Sequence, residues 1–147
     1  MDLLRLNALD KDDLEVISAH LQDAIVNVSD IIWRPSERRV VIGLNRFDWV
    51  GAQESIPENR RRLAALRFDC VKSFKSRDID PAAKAVTLSL LAVDFADTDV
   101  PAGQVTLTFS GGGAVRLEVE CLEAELADLG PAWTTASRPG HPDESVA

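Results

Sequence analysis

The segment from Ile31 to Trp49, IIWRPSERRVVIGLNRFDW, constrains the fold of this chain more than any other stretch. Apolar residues recur at Val40, Ile42 and Leu44, which is the period of two that places successive side chains on opposite faces of a strand. Just before them, Arg-Pro-Ser-Glu supplies a proline with a fixed φ and a serine that can bond its own backbone, and both are typical of turns. The segment therefore predicts a β-hairpin against which the rest of the chain packs.

Strand patterns also dominate the rest of the chain. Alternating side chains from Leu3 to Leu9 predict a first strand, and Asp10 can cap an amphipathic helix that runs to Ile25 and ends near Val26. Later strands are predicted at Arg60 to Arg77, Ala85 to Phe95, Val105 to Phe109 and Ala114 to Cys121.

Two segments combine helical and strand features. The segment that starts at Arg60 contains good helix formers, but Leu66, Phe68 and Cys70 alternate with polar residues, which favours a long strand with a bulge near Cys70-Val71. Leu122 to Leu129 is predicted to form a last helical turn.

These elements predict an α+β fold, a curved antiparallel sheet or partly open barrel of about six or seven strands packed on one N-terminal helix. The 147-residue chain is long enough for one core that buries roughly two thirds of the unfolded surface. We assign that single domain to residues 1–130. Residues 131–147 lack an apolar pattern and are rich in Pro, Ser and charge, which predicts a disordered tail.

The composition favours a cytoplasmic protein with no membrane contact. No apolar run approaches the roughly 18 residues of a membrane span, and acids occupy the N-terminal region where a secretory signal would be apolar. Cys70 and Cys121 are far apart in the sequence, and neither lies in a CxxC motif or beside a histidine. They are expected to be buried, reduced thiols that behave as small hydrophobic groups.

Charge is the most informative functional feature. The net charge of −8 argues against general nucleic-acid binding, which requires clustered Lys and Arg. Between Arg34 and Arg77, however, the sequence contains eleven Lys and Arg residues and only five Asp and Glu residues. The local charge is therefore +6, which leaves −14 for the remainder of the chain. The chain therefore has a basic centre with acidic flanks.

If the two basic strands are neighbours, their guanidinium groups share one face and can bind carboxylate or phosphate in a bidentate manner. The candidate binding residues are Arg38, Arg39, Asn45, Arg46, Trp49, Arg60, Arg61, Arg62 and Arg67. The alternative is internal neutralisation, in which these arginines form cross-strand ion pairs with Glu118, Glu120, Glu123 and Glu125.

No catalytic residues, metal site or cofactor are predicted. His20 is a lone histidine on the helix, so no Ser-His-Asp or Cys-His arrangement can be built around it. The Gly111-Gly112-Gly113 run precedes a strand instead of the helix that a phosphate site would need. Asp94, Asp97 and Asp99 lack the glycine and terminal glutamate of a calcium loop. The inventory argues against an enzyme, and only acids paired by folding would change that interpretation.

Three functional hypotheses follow. The leading one is a non-catalytic binding or adaptor protein whose arginine-rich sheet face meets an acidic protein surface or a second copy of the chain, as in a homodimer. The second is a pocket near Asn45 to Trp49 for a small molecule or phosphorylated ligand, with an enzyme as one version of it. The weakest is RNA binding in which Phe68 or Phe74 stacks on bases.

Four segments carry a resemblance to a known family. They are SAHLQDAI, ERRVVIGLNRFDW, RRRLAALRF and GGGAVRLEVECLEAELADLG. From Leu3 to Gly130 the chain resembles a family of small acidic proteins of unknown function from alphaproteobacteria. The resemblance implies a bacterial cytoplasmic protein, and it implies no catalytic residues.

Overall fold

The computed structural model describes residues 3–48, 60–130 and 133–134. These ranges contain one α-helix, α1 (Lys11–Leu21), and eleven strands. The strands are β1 (Arg5–Ala8), β2 (Ala24–Asn27), β3 (Ile31–Arg34), β4 (Arg39–Phe47), β5 (Arg60–Phe68), β6 (Val71–Arg77), β7 (Thr87–Asp97), β8 (Gly103–Phe109), β9 (Ala114–Val119), β10 (Ala124–Asp128) and β11 (Trp133–Thr134).

All strands belong to one open antiparallel sheet with the order β1-β10-β5-β4-β2-β7-β8-β9-β6. In addition, β3 pairs with β4 and β11 pairs with β5. The prediction of six or seven strands in a curved sheet or partly open barrel is therefore wrong: the sheet has eleven strands and does not close. The antiparallel arrangement with one N-terminal helix is confirmed.

The predicted hairpin is confirmed, and it fixes the middle of the sheet. Ile31 pairs with Ile42 and Arg34 pairs with Arg39, and a short 3-10 turn over Pro35–Glu37 joins the two strands. The next strand in the sequence, β5, lies along the other edge of β4 over eight residue pairs. The two basic strands are thus neighbours, as the sequence analysis supposed.

The helix begins where it was predicted but ends earlier. The Asp10 carboxylate accepts a hydrogen bond of 2.8 Å from the Asp13 amide, which caps the first turn. After Leu21 the chain reverses at Asp23, whose φ is 63°, and Ala24–Asn27 joins the sheet as β2. The predicted end near Val26 is wrong because Ile25 lies at a helical spacing from Leu21, whereas buried Ala24 and Val26 follow the period of a strand.

Two later segments also differ from the prediction. Residues Arg60 to Arg77 form two strands separated by Asp69 and Cys70, and the Cys70 φ of 60° turns the chain from β5 into β6. The predicted helical turn over Leu122 to Leu129 is strand β10, which lies between β5 and β1. Its leucines are spaced like those of a helix, but Ala124, Leu126 and Asp128 alternate inward.

One hydrophobic core connects the two ends of the sheet. Leu14 and Ile17 of α1 belong to the same buried cluster as Leu126 of β10 and Leu117 of β9. Trp33 of β3 stacks on Phe74 of β6 with 6.3 Å between ring centroids.

In the described ranges, no helix has both the length and the apolar character needed to cross a bilayer. Within the predicted tail, Trp133–Thr134 pairs with β5. The rest of that prediction, residues 131–132 and 135–147, lies outside the described residues.

Candidate functional site

Arg39 of β4 and Arg67 of β5, on the outer face of the sheet, are neutralised by neighbouring acids. Arg39 Nε lies 2.7 Å from one oxygen of Asp69, and Arg67 Nε lies 2.9 Å from the other. Arg67 also reaches Glu125 at 3.3 Å, and Glu125 lies 3.7 Å from Arg5. Cations and anions thus alternate across four strands, which is the internal neutralisation that the sequence analysis held as its alternative.

Arg46 and Arg62 point from β4 and β5 toward the core instead. They form a cross-strand pair, and the side chain of each is more than nine-tenths buried. Arg46 donates two hydrogen bonds, of 2.8 and 2.9 Å, to the Asp128 carboxylate, which also accepts from the Leu4 amide at 2.8 Å. This arrangement is a buried bidentate ion pair.

Arg62 is less well satisfied than Arg46. Its Nε lies 3.8 Å from Asp48 and 3.9 Å from Asp128, both beyond hydrogen-bond distance. Its Nη1 is buried and has no hydrogen-bond partner among the described residues. A guanidinium N–H without a partner can donate a hydrogen bond to a carboxylate or phosphate oxygen of a ligand.

The pKa values around this buried cluster follow from its charges. Burial raises the pKa of Asp128, but the hydrogen bonds from Arg46 and Leu4 and the charges of Arg46 and Arg62 outweigh it, so the pKa lies below its ordinary value. Burial and the nearby Arg46 charge lower the pKa of His20, against the opposing pull of Asp128 and Asp48.

The other predicted binding residues are dispersed. Arg61 donates at 3.1 Å to the Asn45 carbonyl and lies over the Phe47 ring, with burial lowering its pKa. Arg38, at the hairpin turn with a φ of 52°, forms an ion pair with Glu120. Arg60 is the first residue of β5, and its side chain lies outside the described part of the structure. Trp49 lies outside the described residues. The candidates whose side chains the structure describes therefore divide between the core side, the outer face and the hairpin turn.

A different basic cluster lies on the outer face of the β6 edge. Lys75 of β6 and Arg116 of β9 form a cross-strand pair, and Arg77 is two residues along the same face. Together with Thr106 of β8, they line a groove of about 150 Å³. We call Lys75, Arg77 and Arg116 the basic groove.

The Lys75–Arg116 pair differs from the other cross-strand pairs of cations. Glu37 contacts both members of the Arg34–Arg39 pair, at 3.5 and 3.9 Å. Asp128 similarly contacts both members of the Arg46–Arg62 pair.

No described carboxylate lies within ion-pair distance of Lys75 or Arg116, and the nearest acid contact of the groove is Arg77 with Asp78 at 4.0 Å. Like charges directly opposite each other destabilise a sheet, so this pair does not stabilise the fold. Arg116 could not be predicted as a binding residue from the sequence, because only the β6–β9 pairing brings it to Lys75.

The cysteines are close together and half-exposed, so their predicted burial is wrong. Sγ atoms of Cys70 and Cys121 and a carboxylate oxygen of Glu123 all lie within 4.8 Å of one another. Burial, the hydrogen bond with Cys121 and the charges of Cys121 and Glu123 raise the pKa of Cys70 to about 12.

A cleft of about 360 Å³ is bordered by Asp10 and Asp12 at the start of α1, by Phe95 and Asp97 of β7, and by Cys121. No predicted binding residue whose side chain the structure describes lines it. The hypothesis of a small-molecule site near Asn45 to Trp49 therefore gains nothing from this cleft and depends on Arg62.

The profile of a family described as "Protein of unknown function (DUF2948)" matches residues 4–141, which confirms the resemblance to a family of unknown function. No curated protein and no solved structure matches the chain.

Proposed function

We propose that this chain, which belongs to the DUF2948 family, is a non-catalytic binding protein that docks an acidic protein surface in the basic groove. The family description assigns no activity, so the proposal rests on the chain's own side chains. Carboxylates of the partner would lie between Lys75 and Arg116 and reach Arg77. This proposal keeps the binding role inferred from the sequence but moves it from the β4–β5 arginines to the β6 edge.

The observation that carries the proposal is the unbridged Lys75–Arg116 pair. The fold supplies a bridging carboxylate to each of the Arg34–Arg39 and Arg46–Arg62 pairs, whereas no described acid bridges this one. A carboxylate from a partner would complete the same arrangement. It would remove the repulsion and add charge-assisted hydrogen bonds.

The shape of the groove favours a protein surface over an enclosed metabolite. At about 150 Å³, the groove is smaller than the roughly 300 Å³ at the lower end of small-molecule pockets. Lys75, Arg77 and Arg116 are all exposed, so they are available to a partner without rearrangement of the core. Exposed charges of this kind mainly set association rate and orientation, and their effect declines with salt.

The acidic surface can come from another protein or from a second copy of this chain. Outside the basic centre the chain carries a charge of −14, so its own surface has the complementary sign. Sedimentation velocity at low and high salt separates the two sources. A dimer at low salt that dissociates at high salt and is absent in K75E identifies self-association, whereas a monomer at both salts leaves the heterologous partner.

Binding is tested by fluorescence anisotropy with a labelled oligoglutamate peptide as the probe. We expect saturable binding that weakens with added salt, and we expect K75Q and R116Q each to raise the Kd about tenfold, or ~1.4 kcal/mol. Inorganic phosphate serves as competitor. If phosphate displaces the peptide no more than its ionic strength alone would, carboxylate is favoured over phosphate as the natural ligand group.

Lys84→Gln is the matched control, because Lys84 is exposed, lies outside the groove and changes the net charge equally. Equal loss of binding in K84Q and K75Q would indicate a general charge effect and refute the groove. Unchanged binding in R116Q would refute it as well.

A second candidate function is supported by Arg62. Its buried Nη1, unpartnered among the described residues, could hold one carboxylate or phosphate oxygen of a small ligand beside Asp48. A thermal-shift titration with inorganic phosphate tests it, with sodium chloride at equal ionic strength as the control. A rise in Tm in the wild type that is lost in R62Q but kept in R116Q would favour this site. If phosphate causes no specific rise in Tm, phosphate binding at this site is excluded.

A further inference from the structure

The two cysteines meet at a defined point of the sheet. The chain passes from β5 to β6 through Asp69 and Cys70, beside the link between β9 and β10 that carries Cys121 and Glu123. Two backbone hydrogen bonds of 2.9 Å join these segments, from the Glu120 amide to the Cys70 carbonyl and from the Asp69 amide to the Glu123 carbonyl. The three side chains are therefore positioned by sheet-like pairing on both sides.

Their spacing matches a tetrahedral metal site. Zn²⁺ lies about 2.3 Å from thiolate sulfur and about 2.1 Å from carboxylate oxygen, so tetrahedral angles place a sulfur and an oxygen ligand about 3.6 Å apart. Cys70 Sγ lies 3.6 Å from Glu123 Oε2. The same geometry requires about 3.8 Å between two sulfurs, and the two Sγ atoms lie within 4.8 Å of each other.

The backbone conformation at Cys70 belongs to the turn from β5 into β6. Its φ of 60° lies in the left-handed region, where glycine is unstrained and a cysteine is not.

We propose that Cys70, Cys121 and Glu123 bind a zinc ion. Two sulfur ligands and one oxygen ligand suit the borderline softness of Zn²⁺ better than that of Mg²⁺ or Ca²⁺, which take oxygen ligands alone. The three residues supply three ligands, so the fourth position is open to a water molecule. Both cysteines are half-exposed, Glu123 is exposed, and Cys121 also borders the 360 Å³ cleft, so an ion can reach the site.

The proposed zinc site is separate from the basic groove, and it departs from the sequence-based expectation of no metal. Its ligands come from Cys70 and from the β9–β10 link, while the groove lies on the outer faces of β6, β8 and β9. Failure of one proposal therefore leaves the other unaffected, and K75Q is expected to bind zinc as the wild type does.

The test uses the full chain, reduced and then freed of reductant and metal under nitrogen. Titration with Zn²⁺ in competition with a chromophoric chelator is expected to give one ion per chain. Co²⁺ in place of zinc is expected to give thiolate-to-metal charge-transfer absorption in the near ultraviolet, and bound zinc is expected to protect both thiols from a thiol reagent.

Variants identify the ligands. E123Q is expected to weaken zinc binding at least as much as loss of an outer-shell partner does, about 10- to 100-fold, and C121S is expected to weaken it further. C70G removes the thiol but accepts the φ of 60°, so it stays folded and still loses the metal. E120Q is the matched control, since Glu120 is a neighbouring carboxylate outside the triad.

Three outcomes would overturn the proposal. The first is substoichiometric zinc in the reduced protein. The second is zinc affinity that is equal in the wild type, C70G and C121S. The third is a cobalt spectrum without charge-transfer absorption, which would place the ion on oxygen ligands elsewhere.

Discussion

Lys75 and Arg116 face each other across the β6–β9 ladder with no described carboxylate between them. In the part of the chain that the structure describes, each of the other two cross-strand pairs of cations contacts an acid, Glu37 in one case and Asp128 in the other. The contrast separates arginines that stabilise the fold from a cationic pair that the fold leaves available. It is the reason why we place binding at the sheet edge and not at its centre.

Charge reversal at Lys75 should separate stability from binding. K75E replaces a repulsive cross-strand pair with an attractive one, so the free energy of unfolding is expected to rise by about 0.5 kcal/mol in urea denaturation. Binding of the oligoglutamate peptide is expected to be lost in the same variant. K84E carries the same charge change away from the groove and should leave both quantities nearly unchanged. A less stable K75E would show that an unrecognised acid already neutralises Lys75.

The hairpin could be predicted because its information is local. Alternation at Val40, Ile42 and Leu44 and the Pro35 turn lie within one short segment, and the observed pairing agrees with them. The end of α1 and strand β10 could not be predicted, because Leu21 and Ile25, like Leu122 and Leu126, are four residues apart, a spacing that suits a helix and a strand alike. Tertiary pairing with β7, β5 and β1 decides between the two.

The candidate sites depend on contacts between distant parts of the sequence. Cys70 meets Cys121, and Lys75 meets Arg116, only because β6 pairs with β9. Composition revealed a basic centre, yet Asp69, Glu125 and Asp128 could be matched to the arginines that they contact only through the pairing of β4 with β5 and of β5 with β10. Strand register is what the sequence alone specifies least.

Gly103 should not accept a side chain. A Cβ built there lies 2.7 Å from the Ala96 carbonyl oxygen and also overlaps the Phe95 ring, which is part of the core. G103A is expected to lower the free energy of unfolding by about 1–3 kcal/mol, the usual cost of overpacking. G130A is the control, since nothing lies within 4 Å of its Cβ. Equal stabilities of G103A and G130A in urea denaturation would contradict the close packing of β7 on β8.

Asp128 should be the most important single acid for stability. D128A leaves Arg46 and Arg62 buried without their shared carboxylate, and removal of one partner from a buried ion pair typically costs about 3–5 kcal/mol. E120A removes the partner of Arg38, but both side chains are about half-exposed, so it should cost only about 0–1 kcal/mol. Urea denaturation of both variants measures the difference. Similar losses would mean that solvent reaches Asp128.

The same cluster should make the protein less stable as the pH falls below neutrality. The pKa of His20 is lowered in the folded state by burial and by Arg46, against Asp128 and Asp48, so the unfolded chain binds a proton more readily. The resulting stability is complete above the ordinary pKa of 6.5 and is lost as the pH falls from there through the lowered folded-state value. Asp128, whose folded pKa is also lowered, acts in the same direction but only in acid, below its ordinary value of 3.8. Urea midpoints measured between neutral and mildly acid pH should therefore decline in the wild type and decline less in H20Q. A decline of equal size in H20Q would assign the pH dependence to other groups and refute the position of His20 beside Arg46.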